Sequence, residues 1–81
     1  MDPRNSGELE KVMSRMEARL AEMDCNSREH AMNVAEISRH PRRWIRNRRL
    51  HGRNALLMER TRNLLDLNAA DWEILHRGAG T

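Results

Sequence analysis

A chain of 81 residues is one domain at most, and a domain of that size buries only about 60% of the surface its unfolded chain exposes, so its core is thin. Hydrophobic residues make up 38% of it, with Trp44 and Trp72 the only aromatics, which argues against the β-branched and aromatic alternation of a sandwich or barrel and points to an all-α fold. The net charge of +3 is segregated: residues 1–38 carry five bases and eight acids, residues 39–62 nine arginines and one acid, and residues 63–81 one arginine and three acids.

Asn5 followed by Glu8 has capping-box spacing, with Pro3 just before, so a helix is expected to begin near Ser6. From there Leu9, Met13, Met16, Leu20 and Met23 recur at alternating steps of four and three, and the count continues through Ser27 and His30 to Val34 and Ile37. That is a seam, and it serves a hairpin core or a dimer equally well. One helix over residues 5–39 accounts for the unbroken register; the alternative is a break at Asn26 and Ser27. A thin helical core also favours pairing with a second copy, so a homodimeric bundle is expected.

Pro41 disfavours helix at His40 and fits the first turn of a new helix, so the chain should turn over residues 39–41. An arginine-rich helix or helix pair is expected over 41–66, with Gly52 as a weak point. Asn68 with Asp71 three residues later resembles a cap, opening a short helix over 69–77 with Gly78 as its stop and 78–81 as a disordered tail.

At 100° per residue, Arg42, Arg46, Arg49, Arg53 and Arg60 fall within about 60° of one another around a helix spanning 41–66. Guanidinium groups gathered on one face repel one another, and an anion of matching length relieves the repulsion; nucleic-acid phosphates have this kind of spacing. Arg39 and Arg43 flank the stripe, Asn47 adds hydrogen-bonding capacity, and Trp44 is a stacking or packing anchor. The other possibility is a solvated face neutralised by the first helix. Its acids have basic neighbours of their own, such as Lys11, Arg15 and Arg19, which leaves too few to silence nine arginines.

The run Arg42-Arg43-Trp44-Ile45-Arg46-Asn47-Arg48-Arg49 resembles the arginine-rich RNA-binding helices of lentiviral Rev proteins. The architecture of a helical hairpin with a basic face is similar to small viral silencing suppressors that clamp double-stranded RNA as helical dimers. Both resemblances imply an RNA-binding protein of viral type. A rival resemblance is to the excisionase type of helix-turn-helix, whose recognition helix reads like Arg43-Trp44-Ile45-Arg46-Asn47-Arg48-Arg49-Leu50 and which implies duplex DNA as partner. Here Pro41 occupies what should be a buried apolar position, and the spacing from Ile37 to Trp44 is one residue short.

No phosphate loop, nucleophile elbow or paired-cysteine motif is present, so no enzyme, catalytic residue, metal or cofactor is expected. Cys25, His30, His40, His51 and His76 lack the paired spacing of zinc ligands. No apolar run reaches about 18 residues and the single cysteine suits a reducing compartment, so an intracellular protein, cytoplasmic or nuclear, without membrane contact is expected. An acidic protein partner docking on the basic patch is the alternative to nucleic acid.

Overall fold

The computed structural model describes the backbone of residues 3–80 and the side chains of residues 7–78. Two helices of 37 residues, α1 (Pro3–Arg39) and α2 (Trp44–Gly80), pack as an antiparallel hairpin, a rod of 62 × 15 × 14 Å. α1 is helical from Pro3, a residue at home in the first turn. The helix therefore starts ahead of the Asn5 cap, and the Asn5 side chain that would form that cap lies outside the described residues.

Asn26 and Ser27 do not interrupt α1. Asn26 faces α2, where its Nδ2 donates to Thr61 Oγ1 at 3.4 Å, so its polar group is used across the hairpin instead of competing with the local backbone.

The connection is a tight turn. The Arg43 amide donates to the His40 carbonyl at 3.1 Å, and Pro41 takes the second turn position, where its fixed φ fits and no amide is needed. The Asn47 amide then donates to Arg43 O at 2.8 Å, and Asn47 Nδ2 reaches back to His40 O at 2.8 Å, tying the turn to α2. Since α2 begins at Trp44, Arg42 and Arg43 stand in the connection and not on the helix expected from residue 41.

α2 runs unbroken past Gly52 and past the expected boundary near residue 69. There is no separate helix over 69–77, because Asn68 and Asp71 are seam residues and not caps. Asn68 Nδ2 donates to Met16 O at 3.4 Å, its Oδ1 accepts from Arg19 at 3.2 Å, and Asp71 accepts from Arg15 at 2.9 and 3.3 Å and also from Arg19. Nor is Gly78 a stop or the start of a disordered tail: α2 includes residues 78–80, and Thr81 lies outside the described residues. A Cβ on Gly78 would sit 2.9 Å from Leu9 Cδ2, so this glycine leaves room for the Leu9 side chain at the open end.

The core is a heptad seam in which apolar and polar layers alternate. Val12, Met23, Leu57 and Leu64 are its buried apolar residues; Asn47, Asn54, Asn68 and Asp71 are its buried polar ones. Arg19 with Asn68, Asn26 with Thr61 and Asn33 with Asn54 (2.8 Å) are bonded in one register, each step of a heptad up α1 matching a heptad down α2. Buried amides of this kind fix register, because a slipped pairing would strand them opposite leucine.

Of the seam residues expected on α1, Leu9, Met16, Met23 and Ile37 are buried or half-buried. Met13, Leu20 and Val34 are not part of the hairpin seam: they are 50%, 55% and 46% exposed. The four-three spacing contains two neighbouring heptad positions, and α2 covers only one of them. Val12, Arg19, Asn26 and Asn33 complete the contact on its other side.

Asp71 links stability to pH. The bonds from Arg15, then Arg19, hold its carboxyl below the usual carboxylate range, against the opposing effect of burial. A depressed folded value means the contribution is complete above the unfolded value of about 4 and is lost as pH falls through the folded one. Asp71→Asn is therefore expected to melt below wild type at pH 7, with the gap closing in acid below about pH 4. Thermal melts of both proteins across pH check this; a gap that stays constant into acid would contradict it.

Candidate nucleic-acid interface

On one side of the hairpin an ion-pair ladder flanks the seam. Arg46 meets Glu36 at 2.9 Å, Arg53 meets Glu29 at 2.6 Å and Arg60 meets Glu22 at 3.1 Å; Arg39 stands 3.6 Å from Glu36 on its own helix. The hydrogen bond from Arg53 holds the Glu29 carboxyl below its ordinary value and raises the already high value of the guanidinium.

The heptad-spaced arginines do share a face, but that face is turned to the acids of α1. Those acids are not satisfied within their own helix as expected. Arg15 and Arg19 go to Asp71, and among the described pairs only Asp24 with Arg28 (2.7 Å) is local to the middle of α1. Antiparallel packing places the flanking positions of the two helices opposite each other, which one-helix geometry does not show. Arg46, Arg53 and Arg60 keep about half of their side-chain surface exposed, and each can reach a phosphate only by sharing or exchanging a carboxylate.

Arg42, Arg43, Arg48, Arg49 and Arg62 have no carboxylate partner among the described residues. Four of these five lie within eight residues of the turn. Together with Arg39 and Arg46 they give the turn end, residues 36–49, six arginines against one acid, Glu36. A shallow depression there is lined by Arg42, Arg43, Trp44, Ile45, Arg46 and Arg49. Trp44 is 67% exposed, so its ring is available to stack on a base or a guanidinium. It also borders a second depression with Ile37, Pro41, Arg48 and His51.

Asn47 also lines this second depression, but from beneath the surface. It is 7% exposed, and its Nδ2 is committed to His40 O while its buried Oδ1 has no partner among the described residues. Arg48 and Arg62 are the converse case, free cations outside the expected stripe. The signal for them is subtraction: removing the arginines that face the Glu22, Glu29 and Glu36 heptad leaves those on the outer faces.

Among the described residues no three His, Cys, Asp or Glu side chains group to hold a metal ion, and no helix is long and apolar enough to cross a membrane. Cys25 is exposed as a free thiol. No protein-family model, curated protein or solved structure matches the chain.

Proposed function

We propose that the protein binds nucleic acid, structured or double-stranded RNA before duplex DNA, at the turn end of the hairpin, and that it does so as a homodimer inside the cell, in cytoplasm or nucleus. The observation that carries this is the concentration of uncompensated arginines, Arg42, Arg43, Arg48 and Arg49, around the exposed ring of Trp44. Guanidinium forks grip phosphate oxygens, and a projecting indole suits bases splayed from an RNA loop or bulge better than a continuous duplex stack. Arg39 supports the site from α1. Arg46, Arg53 and Arg60 extend a weaker positive edge along the rod, being partly neutralised.

The Rev-like run now straddles the turn, with its first two arginines outside α2. That favours an arginine-studded end over a helix lying along a groove. Duplex DNA remains the second nucleic acid, but a helix-turn-helix needs two short helices crossing steeply at a turn, and α1 and α2 instead run antiparallel along their length.

The test is a gel-shift series with labelled double-stranded RNA, a bulged RNA hairpin, duplex DNA and single strands. The expected order is bulged and double-stranded RNA first, duplex DNA next. DNA bound more tightly than every RNA would reverse the assignment, and no shift with any of them would overturn it in favour of an acidic protein partner.

A further inference from the structure

The two long sides of the hairpin are unlike. One carries the ion-pair ladder. On the other, the seam is flanked by Met13, Leu20, Ser27 and Val34 on α1 and by Met58, Leu65 and Trp72 on α2, each set at heptad spacing. Ser27, Met58 and Leu65 line one depression floored by His30 and Leu57, which fixes the sidedness. The six large side chains are between 46% and 59% exposed. From Met13 to Val34 this apolar stripe is about 32 Å long at 1.5 Å per residue, half of the 62 Å rod, and it is of the size at which an exposed patch is often functional.

We propose that this face is covered by a second copy of the chain, packed antiparallel about a two-fold axis midway between the levels of Ser27 and Leu65, giving a four-helix bundle with a basic turn at each end. The proposal makes specific the dimer invoked above and does not rest on nucleic-acid binding. Charge selects both the occupant and its orientation. The turn end has six arginines against one acid, whereas the open end, residues 7–24 and 63–78, has eight acids against four bases. Antiparallel copies set each basic turn beside the acidic open end of the other; parallel copies would stack the two turns and their arginines.

Area and shape agree with a second copy. The whole side, 62 by 15 Å, offers about 900 Å² per copy, roughly half of it apolar stripe and the rest charged ends and rim, against the roughly 800 Å² per partner of a stable interface. The surface is self-complementary about the chosen axis. Ser27 comes level with Leu65 of the second copy at the centre and leaves room for it, and further out Leu20 comes level with Met58 and Trp72 with Val34 of the second copy. Glu10, Glu17 and Asp24 on one edge and Arg48 and Arg62 on the other form a charged rim.

Light scattering on the full chain, with far-ultraviolet circular dichroism in parallel, tests this. Wild type should weigh twice the 9.5 kDa chain. Leu65→Asp should halve that mass with helicity unchanged, while Leu56→Asp, exposed on the other side, should leave it dimeric. If Leu65→Asp loses helicity, Met58→Glu is read in its place with the same halving expected. Orientation is read by spin labels on Ser38→Cys in a Cys25→Ser background. At 1.5 Å per residue the antiparallel arrangement separates the labels by about 40 Å along the bundle, and the parallel one brings them within about 20 Å. A wild type of single-chain mass at every concentration, a Leu65→Asp or Met58→Glu variant that is folded and still dimeric, or the short label distance would overturn the proposal. Gel shifts are scored separately, so a monomer that binds RNA and a dimer that binds none are distinct results.

Discussion

Truncating Leu64 to alanine is expected to destabilise the hairpin by about 2–5 kcal/mol. Leu64 is 2% exposed and is the one large side chain fully buried among the described residues, sitting a heptad from Leu57 in the middle of the rod. A two-helix hairpin has little else to fill the space, since the adjacent seam layers are the amide of Asn68 and the hydroxyl of Thr61. A chain this small has total stability on the order of 4–12 kcal/mol, so the loss is a large share of it. Leu56→Ala is the control: at 60% exposure on the outer face it should change stability by under about 0.5 kcal/mol. Urea denaturation followed by circular dichroism, at matched protein concentration, checks both. Equal midpoints for Leu64→Ala and wild type would mean the seam is not where stability resides.

The second large effect is on binding. Reversing Arg42, Arg43 and Arg49 together to glutamate should weaken RNA binding on the order of a hundredfold or more at moderate salt, because three phosphate contacts become three repulsions. None of the three has a carboxylate partner to lose, so the melting temperature should hold. Reversing Arg46, Arg53 and Arg60 is the informative contrast. It breaks the ladder with Glu36, Glu29 and Glu22, so it should lower stability, and it should weaken binding less than the turn-end triple does. The opposite ranking would return the site to the stripe along the rod.

The long first helix and the all-α class were legible because α1 carries its seam in apolar residues, Leu9, Met16, Met23 and Ile37, at regular spacing. α2 was harder to read because its seam alternates leucine with Asn47, Asn54, Thr61 and Asn68, and hydropathy scores those as surface or caps. Leu50, Leu57 and Leu64 at intervals of seven, with Asn47 and Asn54 offset by three, are the signal that reveals it. The expected break at Asn68 fails for the same reason: a polar residue with a bonded partner across the seam has no need to end a helix.

For the site, the charge count located the basic region but not its free part. Which arginines are compensated depends on Glu22, Glu29 and Glu36, tens of residues distant in sequence and brought opposite only by antiparallel pairing. Antiparallel pairing of the two heptads compensates Arg53 and Arg60 and leaves Arg42, Arg43, Arg48 and Arg49 free of carboxylates among the described residues.

The central claim is that uncompensated arginines at the turn end hold phosphates, and the salt dependence of RNA affinity tests it most directly. Log affinity should fall linearly with log salt, at a slope of about −0.7 to −0.9 per phosphate contacted, and the Arg42, Arg43 and Arg49 triple variant should flatten that line by about three contacts. A wild-type affinity indifferent to salt, or a slope the triple variant leaves unchanged, would contradict it.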